Sequence, residues 1–114
     1  MSRLSVVLPA YNEEQILAKT CRTLKEILSF SEIEYELVFV DDGSSDKTWN
    51  VIEKVSKEDR NISGIHFSRN FGKEAAIIAG LAQASGDAVA VMDCDLQHPP
   101  ETLSLIHISE PTRP

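Results

Sequence analysis

The sequence lacks the features that mark several common classes of protein. It has two cysteines in 114 residues, and no apolar run is long enough to cross a bilayer or to serve as a signal peptide. The small number of cysteines argues against a secreted domain stabilised by disulfides, and the lack of a long apolar run argues against a membrane-spanning chain. Cys21 and Cys94 are expected to be reduced residues of the core. We expect this chain by itself to be soluble and cytoplasmic.

Positive charge is scarce as well. The chain has 11 Lys and Arg residues against 18 Asp and Glu residues, which gives a formal net charge of -7. This balance argues against nucleic acid or an anionic membrane surface as the partner of this segment. An acidic protein that handles an anionic phosphate would need a metal ion or a few well-placed cations.

Glycine is missing where two common phosphate-binding motifs need it. The first apolar run is followed by "PAYNEE", which contains neither the glycine-rich turn of a dinucleotide-binding fold nor the lysine of a P-loop. Any phosphate must therefore be held by other means. Pro9 stiffens the chain here, and Tyr11, Asn12 and Glu13 offer an aromatic face and hydrogen-bonding groups, although an ordinary helix cap would use the same residues.

Four apolar, β-branched runs predict strands at residues 4–8, 36–40, 62–67 and 88–92. The first, second and fourth runs lack polar alternation, as expected for strands that are covered on both faces. Segments with helical spacing lie between them. The order predicts an α/β domain with a doubly wound, mostly parallel, Rossmann-like sheet, and such sheets bind ligands at the carboxyl ends of their strands.

The helix ends are predicted from capping chemistry. Asn12 is expected to be the N-cap of the first helix, with Gln15 three residues later. Ser45 or Asp46 is expected to cap the second helix. Gly86 is expected to be the C-cap of the third.

The second strand is followed by "VDDGSSD", which contains Asp41, Asp42 and Gly43. Two acids at a strand end suit a metal pocket of the response-regulator kind, or a site that accepts hydrogen bonds from a nucleobase or a ribose. Ordinary turn chemistry would use the same residue types.

The third and fourth strands end in groups of opposite charge. In "SRNFGKEAA", Arg69 and Lys73 are candidate cations near a phosphate, and Gly72 would allow close approach of the backbone. In "MDCDLQHPPE", Asp93 and Asp95 are two residues apart, so on a strand they would point the same way and reach one cation while Cys94 faces the core. With the side-chain oxygen of Gln97, this donor set suits Mg²⁺ or Mn²⁺ that takes its remaining ligands from water and a substrate diphosphate.

Together, "SVVLPAYNEE", "VDDGSSD", "SRNFGKEAA" and "MDCDLQHPPE" resemble the family 2 glycosyltransferases with a GT-A fold. The likeness is to the branch that moves a sugar from a nucleotide to a polyprenyl phosphate, namely the bactoprenol glucosyltransferases and dolichyl-phosphate mannose synthases. The resemblance implies that Pro9, Tyr11 and Glu13 line the nucleoside pocket. Two further groups follow from it: Asp41 and Asp42 near the base and ribose, and Asp93, Asp95 and Gln97 at the metal and diphosphate.

The resemblance implies an inverting sugar transfer from a UDP- or GDP-linked donor, with Asp95 as the catalytic metal ligand and Mg²⁺ or Mn²⁺ as cofactor. The acceptor would be a polyprenyl phosphate in cell-wall or glycan biosynthesis. The full-length protein would then work at the cytoplasmic face of a membrane, anchored by C-terminal helices absent from this chain, and a homo-oligomer is left open. The alternatives are a nucleotidyltransferase and a phospho-acceptor signalling module.

The resemblance covers residues 1–102, as the donor-binding part of a GT-A domain truncated before its acceptor site. Residues 103–114, "LSLIHISEPTRP", show no helical stripe and end in turn-forming residues. They match the in-frame translation of a transposase sequencing adapter, so we expect a non-native tail. We also expect the chain as it stands to transfer no sugar.

Overall fold

The computed structural model describes residues 3–95 together with residues 108 and 109. Strands and helices alternate along the described chain, as the order of apolar runs predicts. The elements are β1 (Arg3–Ala10), α1 (Leu17–Phe30), β2 (Glu34–Asp41), α2 (Thr48–Glu58), β3 (Ile62–His66), α3 (Lys73–Gln83), β4 (Ala88–Val91) and β5 (Ile108–Ser109).

The strands form one sheet in the order β3-β2-β1-β4-β5. The pairings of β1 with β2, of β2 with β3 and of β1 with β4 are all parallel, whereas β5 runs antiparallel to β4. The predicted α/β fold with a doubly wound, mostly parallel sheet is confirmed. In register, Ala10 pairs with Asp41 and Asp41 pairs with His66, so three strands end level at one edge of the sheet.

Helices cover both faces of the sheet, which explains the absence of polar alternation in its central strands. One apolar cluster joins α1 and α2 to one face, and a smaller cluster around Val7, Val38 and Ala76 packs the opposite face against α3. Cys21 and Cys94 are both buried free thiols, as predicted. No helix in the described part of the chain has the length and apolar character that crossing a membrane requires.

Two predicted helix ends are wrong, because both residues serve contacts with distant parts of the chain. Helix α1 begins at Leu17, and Asn12 lies before it at a positive φ of 55°. Helix α3 ends at Gln83 before reaching Gly86. A Cβ at Gly86 would lie 2.6 Å from the Arg3 carbonyl oxygen, so this glycine permits close packing against β1.

The N-cap of α2 is Lys47, not the predicted Ser45 or Asp46, and it makes no side-chain capping hydrogen bond. Asp46 nevertheless contacts the start of the helix. Its Oδ1 accepts a hydrogen bond of 2.9 Å from the amide of Thr48, the first residue of that helix. Hydrogen bonds from Thr48 and from the Glu14 amide lower the pKa of Asp46, although burial opposes them. The carboxylate therefore satisfies one of the amides that a helix start leaves without a partner.

Candidate functional site

A cleft of about 250 Å³ opens at the carboxyl ends of β1, β2 and β4. Its lining contains most of the side chains singled out from the sequence, although they come from four separate segments. The lining residues are Pro9, Ala10, Tyr11, Glu13, Asp42, Lys73, Asp93, Cys94 and Asp95. The position agrees with the rule that open α/β sheets bind ligands beyond the carboxyl ends of their strands.

Asn12 connects the β1 side of the cleft to the segment after β2 by hydrogen bonds. Its backbone amide donates a 2.9 Å hydrogen bond to the Ser44 hydroxyl, and its side-chain oxygen accepts one of 2.9 Å from the Ser45 amide. The next residue, Glu13, donates its amide to the Thr48 hydroxyl at 2.8 Å. Asparagine tolerates a positive φ better than most residues, and that is the one sequence signal for this connection.

Glu13 places a carboxylate in the cleft beside those of Asp93 and Asp95. Burial raises the pKa of Glu13, and the negative charges of Asp95, Asp46 and Asp93 raise it further. The cleft thus concentrates negative charge that a proton or a bound cation would relieve. This property fits a site that receives a metal ion.

Asp41 lies outside the lining of the cleft. It is fully buried, its Oδ1 accepts a 3.0 Å hydrogen bond from the Ser44 amide, and its Oδ2 lies 3.3 Å from Nε2 of His66. The His66 ring stacks on Trp49 with the ring centroids 4.5 Å apart. The structure therefore separates two adjacent acids that the sequence assigned to one place.

Asp42 lines the cleft, but its carboxylate is also hydrogen-bonded to the segment between β3 and α3. The amides of Phe71 and Gly72 and the side-chain amide of Asn70 donate to it. The sequence reasoning missed Asn70, since a loop asparagine carries no distinctive signal.

Of the two predicted cations, the structure brings Lys73 to the cleft. Its Nζ lies 2.5 Å from Oδ1 of Asp93, and both side chains are about half exposed. The guanidinium of Arg69 lies 4.8 Å from the centroid of the Phe71 ring, and Arg69 is absent from the cleft lining. Lys73 is therefore the cation that can meet an anionic ligand in this cleft.

Asp93 and Asp95 both lie beyond β4, which ends at Val91, and Asp95 belongs to a turn. The expectation that a strand aligns them is wrong in that respect, although both reach the cleft. Cys94 between them is buried, as predicted, and its carbonyl accepts a 2.6 Å hydrogen bond from the Thr20 hydroxyl on α1. Burial strongly raises the pKa of the Cys94 thiol, so it stays protonated and is a poor metal ligand.

The donor set suits a hard divalent ion. Asp93 and Asp95 supply carboxylate oxygens, and a magnesium ion is commonly bound by one or two carboxylates that leave its other positions to water and substrate phosphates. Within residues 3–95, no group of three or more Asp, Glu, His or Cys side chains is arranged to enclose a metal by itself. Gln97, the third predicted ligand, lies outside the described residues.

The sequence profile of the family described as "Glycosyl transferase family 2" matches residues 5–106. The chain therefore belongs to glycosyl transferase family 2.

Several curated relatives have undecaprenyl phosphate or bactoprenol in their names. The undecaprenyl-phosphate 4-deoxy-4-formamido-L-arabinose transferase of Proteus mirabilis is 44% identical over 108 residues, which cover 90% of this chain and 32% of that protein. The bactoprenol glucosyl transferase of Shigella phage SfV is 42% identical over 101 residues, covering 89% of this chain and 33% of that protein. The chain spans about a third of the length of these relatives.

Solved glycosyltransferase structures share the fold. Staphylococcus aureus TarS in complex with UDP aligns with a TM-score of 0.71 and 31% identity over 82% of this chain and 27% of that one. A mannosyltransferase from Pyrobaculum calidifontis, in complex with GDP-Man and Mn²⁺, aligns with a TM-score of 0.73 over 82% of this chain and 28% of that one. It is 24% identical, so this second likeness concerns the fold alone. The predicted GT-A fold is confirmed.

Proposed function

We propose that this chain is the donor-binding part of an inverting glycosyltransferase that moves a sugar from a UDP- or GDP-linked donor to a polyprenyl phosphate. The observation that carries the proposal is the joint presence of Lys73, Asp93 and Asp95 at one cleft, on the sheet edge of a family 2 chain. The relatives named for undecaprenyl phosphate and bactoprenol support a lipid phosphate as acceptor.

The proposed donor would lie across the cleft with its nucleoside near Pro9, Tyr11 and Glu13. Tyr11 is about half exposed and offers an apolar ring face to a base or a ribose. The diphosphate would then lie near Lys73, Asp93 and Asp95, where a cation of the protein faces the carboxylates. This arrangement orders the donor from nucleoside to sugar along the sheet edge.

Loss of the nucleoside diphosphate develops negative charge on the leaving phosphate. A Mg²⁺ or Mn²⁺ ion held by Asp93, Asp95 and Gln97 would supply Lewis-acid stabilisation of that charge. Lys73 would add a hydrogen bond from a charged donor to the same group. A lipid phosphate is already ionised at neutral pH, so direct attack with inversion demands less of a general base than attack by a sugar hydroxyl.

In this proposal, the full-length protein acts at the cytoplasmic face of a membrane, where a polyprenyl phosphate is available. The membrane segments and the acceptor site would belong to parts of the protein beyond the residues described here.

Two alternatives are less well supported. A nucleotidyltransferase would have a glycine- and arginine-rich loop after β1, where this chain has "PAYNEE". A phospho-acceptor module needs an accessible aspartate after the middle strand, but Asp41 is fully buried and Asp42 is 4% exposed and hydrogen-bonded to a neighbouring loop.

Calorimetric titration of the chain with UDP- and GDP-sugars, with and without Mn²⁺, tests the proposal. We expect one of the two nucleotide sugars to bind, and to bind more tightly with the metal. If neither donor bound, or if the affinity did not depend on Mn²⁺, the proposed donor site would be contradicted. Asp87→Asn is a suitable control, because Asp87 accepts a hydrogen bond from the Arg3 amide at the opposite end of the sheet.

A further inference from the structure

Helix α1 buries one hydroxyl in its otherwise apolar inner face. The buried residues of the helix are Leu17, Thr20, Cys21, Leu24 and Leu28, and Thr20 is 3% exposed. Moving a hydroxyl out of water costs free energy unless it makes a hydrogen bond. A threonine within a helix commonly donates to the carbonyl one turn earlier. The hydroxyl of Thr20 instead donates to a carbonyl 74 residues later in the chain.

The acceptor is the backbone carbonyl of Cys94, the residue between Asp93 and Asp95. The hydrogen bond is 2.6 Å long and buried, and Cys94 itself is 1% exposed. Because β4 ends at Val91, this carbonyl lies outside the strand pairing, where a buried acceptor needs a partner from another element. The hydroxyl of Thr20 is that partner.

The start of α1 is also joined to the other side of the cleft. The amide of Leu17, the first residue of the helix, donates to the Glu13 carbonyl at 3.0 Å, and Glu13 lines the cleft. Thr20 lies one turn further along α1. Its hydrogen bond therefore connects the segment that carries the two aspartates to a regular helix, which positions side chains more precisely than a loop does.

We propose that Thr20 is a positioning residue for the metal ion. By holding the Cys94 carbonyl, it keeps the carboxylates of Asp93 and Asp95 within reach of one divalent cation, and it touches neither the metal nor the donor. The inference rests on the proposed function for the identity of the ion that these carboxylates bind. Loss of a partner that orients metal ligands typically lowers metal affinity by about 10–100-fold, so the effect is measurable.

Thr20→Val and Thr20→Ser separate this role from simple packing. Valine has nearly the shape of threonine but no donor, whereas serine keeps the hydroxyl and loses a methyl group. The measurement is calorimetric titration of the 114-residue chain with Mn²⁺, alone and with UDP or GDP. We expect Thr20→Val to bind Mn²⁺ about tenfold more weakly and Thr20→Ser to retain most of the unmodified affinity. Equal losses in the two variants, or no loss in Thr20→Val, would overturn the proposal.

Thr20→Ala provides a second comparison if Thr20→Val does not fold. Alanine differs from serine at this position by the hydroxyl oxygen alone, so the two variants lack the same methyl group. We expect Thr20→Ala to bind Mn²⁺ about tenfold more weakly than Thr20→Ser. Equal affinities would overturn the proposal.

Ser5→Ala is the matched control for a lost buried hydroxyl. Ser5 is fully buried near the start of β1, away from the cleft, where its hydroxyl donates to Glu36 and accepts a 2.8 Å hydrogen bond from the Gly86 amide. We expect both Ser5→Ala and Thr20→Val to lower the urea midpoint, and Thr20→Val alone to weaken Mn²⁺ binding. A similar loss of Mn²⁺ affinity in Ser5→Ala would show that reduced stability is the cause and would overturn the positioning role.

The titration with Mn²⁺ alone distinguishes failure of this inference from failure of the proposed function. If the unmodified chain bound Mn²⁺ but neither UDP nor GDP, the proposed donor would be wrong, and a loss of Mn²⁺ affinity in Thr20→Val would still support the role of Thr20. If the unmodified chain bound no Mn²⁺ under either condition, both proposals would be overturned. If Thr20→Val bound Mn²⁺ and nucleotide as well as the unmodified chain does, only the role of Thr20 would be overturned.

Discussion

At the scale of single residues, the cleft is defined by an excess of carboxylates over cations. Glu13, Asp93 and Asp95 line it together with one lysine, Lys73. Each proposed ligand changes this balance in its own way, because a metal ion brings positive charge and a diphosphate brings negative charge. Substitutions that alter one charge at a time therefore have effects of predictable sign.

Asp95→Asn is expected to abolish metal-dependent binding of a nucleoside diphosphate while leaving the fold intact. The change removes a ligand charge from a site in which like charges already repel each other. Mn²⁺ titration in the presence of UDP or GDP measures the loss, and circular dichroism checks the fold. Unchanged Mn²⁺ dependence would contradict the role of Asp95 as a metal ligand.

Lys73→Met is expected to have opposite effects on the two ligands. Without nucleotide, Mn²⁺ should bind about threefold more tightly, because the cation paired with Asp93 is gone. The expected gain is small because exposed ion pairs are weak. The diphosphate should bind about tenfold more weakly, because a charged hydrogen-bond donor is lost. Lys47→Met is the control, since Lys47 is exposed and does not line the cleft. A loss of both affinities would show that Lys73 supports the metal site.

The raised pKa of Glu13 predicts a dependence of stability on pH. Burial and neighbouring carboxylates raise this pKa in the folded chain, so Glu13 holds its proton more tightly there than in the unfolded chain. Its contribution to stability is present below its ordinary pKa and is lost as pH rises through the folded value. We therefore expect Glu13→Gln to raise the urea midpoint at pH 7 and to lose this advantage near pH 4. An equal gain at both pH values would point to a cause other than ionisation.

At the scale of elements, the strands could be predicted from the sequence far better than the ends of the helices. Each of the four apolar runs became a parallel strand, and in β1, β2 and β4 burial on both faces leaves a local pattern in the sequence. Asn12 and Gly86 show the limit of that approach, since asparagine suits an N-cap and glycine suits a C-cap. Here each of them contacts residues that are distant in the sequence.

The location of the candidate site could be predicted from the sequence, but the contacts of its side chains could not. The sheet topology brings the strand ends together, so Glu13, Lys73 and Asp93 could be expected at one place. The partners of the two acids could not be predicted, since Asp41 meets His66 while Asp42 meets the loop after β3. Neighbouring residues on an extended chain point to opposite sides, and the identity of their partners depends on the folded loops.

Gly43→Ala tests the contact between the turn after β2 and residues 69–72. We expect it to lower the free energy of unfolding by about 2 kcal/mol or more, because backbone strain and a collision with Arg69 act together. Gly72→Ala is the matched control, since its φ is also positive but nothing lies within 4 Å of the added Cβ. Urea unfolding of both variants gives the comparison. A smaller loss in Gly43→Ala than in Gly72→Ala would contradict the close contact.

At the scale of the whole molecule, the chain carries the proposed donor cleft and spans about a third of the length of its relatives. We expect it to bind a nucleoside diphosphate and to transfer no sugar, because the proposed acceptor site lies outside it. A transfer assay with a labelled nucleotide sugar and a polyprenyl phosphate checks this prediction. Labelled lipid product would contradict it.

Residues 103–114 are proposed to be a non-native tail without a role in donor binding. The family match extends to residue 106, and β5 within this segment pairs with Val89 and Ala90 of β4. Sequencing the source DNA across codon 103 tests the proposal directly. A continuous native gene that encodes "LSLIHISEPTRP" would contradict it.

The position of β1 in the sheet has a consequence for synthesis on the ribosome. β1 is made first but lies between β2 and β4, and about 50 residues separate the end of β2 from the end of β4. At typical elongation rates this interval lasts roughly 3–10 s. During that time one side of β1 has no strand to pair with, so the nascent chain presents an open edge that can bind another chain or a chaperone. Arrival of β4 ends this exposure, so we expect slower translation across residues 42–91 to prolong it.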